Sequence, residues 1–250
     1  MKEDTKYMYS DAVEYYDIAA YDMWKEKKML YHKIFSLFQK ENGPVLDIGA
    51  GTGLFSMELA KYTEDLDIIA LEPSKEMRIA FMAKLMQQGT LSSRITVVPE
   101  SVMEYELPDT LSGVVCMGVI GHLNQGQREK LWRRLEKSLK KGTPVIIETL
   151  DKSLLKAEEG TRISAKAVGK YRYETYIKDK KNAGGDLWKW NLQYKVLEDD
   201  KLVREVISPM EWEYHTIEEL QKEISTYSFR CGKLSDTILI ARKKIGRAHV

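Results

Sequence analysis

From Pro44 to Thr149 the chain alternates short, unbroken apolar runs with longer stretches whose apolar residues recur every three or four positions. The runs at 44–48, 67–72, 95–98, 113–117 and 143–149 are rich in β-branched residues and predict strands buried on both faces. Between them, the stretches at about 53–62, 74–87 and 126–140 predict helices. Alternation of this kind folds as a doubly wound, mostly parallel α/β sheet with right-handed crossovers. Ahead of it, Leu30, Ile34, Leu37 and Phe38 fall at helical spacing and predict an amphipathic helix over about 23–40, ended by Asn42-Gly43-Pro44. The first twenty-two residues carry five tyrosines, at 7, 9, 15, 16 and 21, with Asp11, Asp17 and Asp22. Rings that pack while their hydroxyls stay available suit either a helical cap over a core edge or a lid over an active site.

Beyond Asp151 the period changes. Residues 152–170 read as a helical connection, and Tyr171–Ile177 then alternates with period two. Asn182–Gly185 makes a turn, after which Trp188, Trp190, Leu192, Tyr194 and Val196 share one face of a long strand. Asp199-Asp200 turns this strand into Leu202–Ile207. The result is an antiparallel β insertion after the fifth strand, whose aromatic face either covers the substrate mouth, mediates a homodimer or packs on the body of the domain. Thr216-Ile-Glu-Glu219 is a capping box opening a helix to about Tyr227, and strands follow near 229–233 and 236–241. The organisation expected is an N-terminal lid and helix at 1–42, a ligand-binding domain at 43–151 and 210–244, and the insertion at 152–209.

Ligands of such sheets sit beyond the carboxyl ends of the strands. There the first strand breaks into Val45-Leu-Asp-Ile-Gly-Ala-Gly-Thr-Gly-Leu-Phe-Ser56. Glycines at 49, 51 and 53 allow a sharp turn and close approach to the backbone. Asp47, two residues before the first glycine, suits a cationic or amino-bearing ligand and would repel a pyrophosphate. Glu72 ends the next apolar run, where a carboxylate can accept both hydroxyls of a ribose. Together they point to a nucleoside carrying a positively charged amino-acid tail.

Asp47-Ile-Gly-Ala-Gly-Thr-Gly53 followed by Leu71-Glu-Pro-Ser-Lys-Glu-Met77 resembles the class I S-adenosylmethionine-dependent methyltransferases, over about Tyr15 to Ile240. The resemblance implies a Rossmann-like, seven-stranded sheet closed by an antiparallel last pair. It also implies S-adenosylmethionine as cofactor, with S-adenosylhomocysteine as product. Asp47, Gly49, Ala50, Gly51 and Gly53 would hold the methionine part, and Glu72, with Pro73 and Met77 beside it, the ribose. After the third strand, counting back from Glu104-Tyr105 puts Ser101 and Val102 at the adenine-binding places, with Glu100 an alternative one residue away. Met117 and Gly118 would line the adenosyl pocket.

Ile120-Gly-His-Leu123 resembles the small-molecule branch that includes the amino-sugar N-methyltransferases of antibiotic pathways. His122 then either takes a proton from the incoming nucleophile or only caps the following helix. Tyr21 or Tyr16 would bond substrate or cofactor. The expected function is methyl transfer to nitrogen or oxygen of a small-molecule acceptor. The alternatives are RNA or protein methylation, or a binding module without turnover; a nicotinamide oxidoreductase is disfavoured by Asp47.

Composition narrows this only slightly. Lys+Arg number 39 against 38 Asp+Glu, a net charge of +1 that argues against a nucleic-acid partner. Cys116 and Cys231 are too few for a disulfide framework and lack metal-ligand spacing, so no metal and a cytoplasmic setting are expected. No run reaches membrane-spanning length and the N-terminus lacks the apolar core of a signal peptide, so no membrane partner is expected either. The last residues, Ile245-Gly-Arg-Ala-His-Val250, back-translate into the start of a common sequencing-library adapter and read as a non-native tail.

Overall fold

The computed structural model describes residues 11–244; Tyr7, Tyr9 and the 245–250 tail lie outside the described residues. A seven-stranded sheet forms its centre. β1 (Val45–Ile48), β2 (Ile68–Leu71), β3 (Ile95–Val98), β4 (Gly113–Cys116) and β5 (Pro144–Glu148) are all parallel. β10 (Phe229–Lys233) and β11 (Ile238–Lys243) join antiparallel, giving the order β10-β11-β5-β4-β1-β2-β3. The doubly wound architecture and its antiparallel closing pair are those expected.

Because strand side chains alternate, each strand feeds two cores. Leu46, Val114, Val145 and Ile147 pack on one face with Trp132 and Leu135 of α4 (Gln125–Ser138) and Leu220 and Ile224 of α6 (Ile217–Ser225). Val45, Ile68, Val115 and Ile146 pack on the other. There they meet Tyr31 and Phe35 of α1 (Val13–Phe35), Phe55 of α2 (Leu54–Tyr62) and Phe81 of α3 (Lys75–Leu85). Thr216 and Glu219 form the expected capping box at the start of α6.

α1 starts at Val13 and ends at Phe35, whereas periodicity placed it at about 23–40. Its first turns are the tyrosine-rich segment, recruited into helix because Ala12 and Tyr15 bury against Tyr194 and Val196 of the second sheet. Tyr15 stacks on Tyr194 with ring centroids 5.0 Å apart. The helical connection expected at 152–170 is corrected: only α5 (Lys152–Lys156) is helical, and Arg162–Val168 is a strand, β6. Exposed at both ends and without period-two polarity, β6 is held by its ladder to β7 (Tyr171–Gly184). With β8 (Leu187–Glu198) and β9 (Lys201–Glu213) they form a four-stranded antiparallel sheet. Its aromatic face meets α1 through Tyr194 and Val196.

Candidate active site

Strand order reverses at β1, between β2 and β4, which is where a doubly wound sheet opens a crevice. A cavity of about 750 Å³ lies there, within the range of roughly 300–1,000 Å³ common to small-molecule sites. The glycine turn floors it. Gly49, Gly51 and Gly53 have φ of 66, 58 and 81°, the left-handed region that side chains resist. A Cβ at Gly53 would stand 2.2 Å from the Phe81 ring and one at Gly49 2.5 Å from Val119, while the space at Gly51 is open. Thus two glycines pack the turn tightly and the middle one leaves room for a ligand.

At the end of β2, the Glu72 carboxylate accepts from the Gly51 N–H at 2.8 Å and from the Ser74 N–H at 2.7 Å. Burial raises its pKa above the usual carboxylate range, opposed by those two N–H groups. Each carboxylate oxygen retains a lone pair after these bonds, which suits a pair of ribose hydroxyls. Pro73 and Met77 line the cavity beside it, as do Glu100, Ser101, Val102, Met117 and Gly118. Ser101 donates its hydroxyl to Glu104 at 3.1 Å, and Glu100 is exposed at the rim.

Asp47, Ala50, Gly53 and Tyr21 are not among the lining residues. The Asp47 carboxylate is 1% exposed and accepts from the Ser56 hydroxyl at 2.6 Å, tying the strand end to the first turn of α2. Burial pushes its pKa up to about 7, with Glu72 adding to the rise and Ser56 opposing it. Ala50 donates its N–H to the Leu71 carbonyl at 2.9 Å. Tyr21 is 47% exposed, with the Lys166 ammonium 3.5 Å from its ring centre. Of the two tyrosines weighed, only Tyr16 reaches the cavity. Burial, then Glu72 and Asp17, keep its hydroxyl protonated well above the ordinary range.

His122 lies in a single 3-10 turn, Ile120–His122, just after β4, and it lines the cavity. Its ring meets Trp212 edge-on at 4.5 Å and bonds the main chain of Glu211. Burial lowers its pKa to about 4, so it is neutral at pH 7. The cap of α4 is Asn124, in a capping box with Gln127. The far wall comes from the second sheet: Leu187 and Lys189 of β8, and Pro209, Glu211 and Glu213 of β9. Sequence reading left these out because the alternation that singles out the tryptophan face assigns Lys189 to the opposite one. No group of three or more His, Cys, Asp or Glu able to hold a metal occurs among the described residues.

Residues 45–142 match a family model described as a methyltransferase domain. A curated relative, the carboxy-S-adenosyl-L-methionine synthase of Nautilia profundicola, is 28% identical over 47% of this chain and 48% of its own. The chain thus spans about half the length of the curated relatives it matches. Among solved structures it is similar to DesVI of Streptomyces venezuelae (TM-score 0.72, 18% identity, 94% of this chain and 99% of that one). It is also similar to an amino pentose methyltransferase of Micromonospora echinaspora, involved in calicheamicin biosynthesis and solved with S-adenosylmethionine bound. For that pair the TM-score is 0.67 at 13% identity, over 88% of this chain and 91% of that one. Residues 45–142 thus match a methyltransferase domain model on a sheet whose strand order reverses at the cavity. The glycine turn with Glu72 offers backbone N–H groups and a carboxylate at the cavity edge, a donor set that fits an adenosyl ligand such as the S-adenosylmethionine bound in that amino pentose methyltransferase.

Proposed function

We propose that this chain transfers a methyl group from S-adenosylmethionine to a small-molecule acceptor, nitrogen in preference to oxygen. The observation that carries the reading is Glu72, bracketed by the Gly51 and Ser74 N–H groups at the edge of a switch-point cavity. Glu72 would take the ribose; Gly49 and Gly51, with Ala50, Gly53 and the buried Asp47 supporting the turn, would take the methionine end. Glu100, Ser101, Val102, Met117 and Gly118 would enclose the adenine and adenosyl groups.

The bound cofactor supplies an electrophilic methyl carbon. What remains for the protein is alignment of the nucleophile and exclusion of water. His122 is neutral at pH 7 and therefore in its proton-accepting form, yet with a pKa near 4 it is a weak base. An amine that arrives neutral needs little from such a group, whereas a hydroxyl needs a strong one, and this favours nitrogen. Tyr16, locked as a phenol, would donate a hydrogen bond into the cavity.

The division into a lid at 1–42, a cofactor domain at 43–151 with 210–244, and a covering insertion at 152–209 follows from the same reading. The near-neutral charge and deep cover argue for a small molecule over RNA or protein. No described helix is long and apolar enough to cross a membrane, and the free Cys116 and Cys231 suit a reducing cytoplasm.

Thermal melts with S-adenosylhomocysteine and with NAD test the cofactor: the first is expected to raise the midpoint and the second to leave it unmoved. Release of S-adenosylhomocysteine across a panel of amines and hydroxyl compounds then tests the acceptor. Binding without turnover on any nucleophile would leave a non-catalytic binding module in place of the enzyme. Replacing His122 by Ala is expected to reduce turnover by no more than about tenfold, below the usual range for a general base because its pKa is low, and an intact rate and pH profile would remove it from the chemistry.

A further inference from the structure

Arg128, in the first turn of α4, is 4% exposed, and its guanidinium is engaged through Nη1 and Nε. Nη1 donates to the Leu123 carbonyl at 2.7 Å and to the Glu213 carboxylate at 2.6 Å. Nε lies 3.2 Å from both oxygens of Glu223, which also accepts from the Trp132 indole at 2.6 Å. A guanidinium is tolerated at that depth because two carboxylates and a carbonyl offset its charge and desolvation.

The partners come from three separate elements, and two of them, Leu123 and Glu213, line the cavity. Leu123 follows His122 directly. Glu213 ends β9, two residues beyond Glu211, whose main chain bonds the His122 ring. Between these anchors Trp212 packs edge-on against His122, and its indole crosses Gly121 so closely that a Cβ there would stand 2.1 Å away. The turn that carries His122 is therefore held by β9, through Trp212 and Glu211, and by α4, through Arg128 on the Leu123 carbonyl. Arg128 is the group that joins the two grips. It does not line the cavity and touches no residue of the glycine turn.

We propose that Arg128 is a positioning residue for methyl transfer: it registers the His122 turn against the end of β9 and so fixes the acceptor wall. The proposal rests on reading this cavity as the methyl-transfer site. Arg is required because its planar fork meets a carbonyl and two carboxylates at once, which a lysine's single ammonium cannot do.

The test compares wild type, Arg128→Lys and the triple variant Arg128→Met with Glu213→Gln and Glu223→Gln, which removes the partner charges together with the cation if the lysine variant fails to fold. The probe is S-adenosylhomocysteine, with its affinity measured by calorimetry and the His122 ring followed by NMR titration of the loaded protein. The expected result is affinity within about threefold of wild type and a His122 titration raised by about one pH unit or more, as the loosened wall admits water. A merely structural arginine would lower the melting temperature and leave the His122 titration where it is, and that result in a folded variant overturns the proposal. Failure of wild type to bind S-adenosylhomocysteine would instead overturn the methyltransferase reading beneath it.

Discussion

Glu72 concentrates the cofactor argument in one side chain, because its two oxygens already order the turn on which a ribose would rest. Glu72→Gln replaces one acceptor oxygen with an amide nitrogen that must face a main-chain N–H. The affinity for S-adenosylhomocysteine, measured by calorimetry, is expected to fall about 10–100-fold, the cost of losing charge-assisted bonds at a buried site. Asp47 was legible as unusual and its contact was not. A carboxylate at the third position of a strand can face the ligand or the helix behind it, and only the fold brings Ser56, nine residues later, within 2.6 Å. Tyr16 and Tyr21 could not be separated from sequence for a similar reason. Their positions on α1 depend on where the helix starts, and that is decided by Tyr15 stacking on β8.

Among elements, the parallel core was readable because each of its strands is a continuous apolar run with turn residues on either side. β6 was not, since Arg162–Val168 mixes alanine, serine and lysine and gains its structure from pairing with β7. The cover over the site is likewise tertiary. α1 is clasped to the glycine turn by Asp17, which accepts from the Thr52 hydroxyl and pairs with the Lys84 ammonium of α3 at 2.6 Å. Thr52 itself is buried within the turn. Asp17→Ala removes both tethers from one helix face and is expected to speed dissociation of S-adenosylhomocysteine several-fold in stopped-flow displacement. The unfolding free energy should fall by only about 1 kcal/mol, because the Lys84 pair is partly solvated. An unchanged off-rate would mean that α1 does not gate this cavity.

For the molecule as a whole, two buried groups, Asp47 behind the glycine turn and His122 at the cavity wall, set opposing dependences of stability on pH. Asp47 ionises near 3.8 in an unfolded chain and near 7 in the fold, so across that window the folded protein holds a proton that the unfolded chain has released, and stability falls as pH rises. His122 titrates near 6.5 unfolded and near 4 folded. Between those values the unfolded chain holds the extra proton, so stability falls as pH drops. From about pH 4 to 6.5 the two slopes oppose, each at most about 1.4 kcal/mol per pH unit, and their sum is close to zero. Removing either group exposes the other. Relative to wild type, Asp47→Asn should gain stability with rising pH through this window, and His122→Asn should lose it. Urea unfolding of the three proteins at pH 4.5, 5.5 and 6.5 measures this directly, and differencing against wild type cancels the titration of every other group. Parallel curves for all three would mean that neither group keeps a shifted pKa in the fold. Opposite slopes would show that the neutral acid under the glycine turn and the neutral imidazole at the acceptor wall are both products of the same burial.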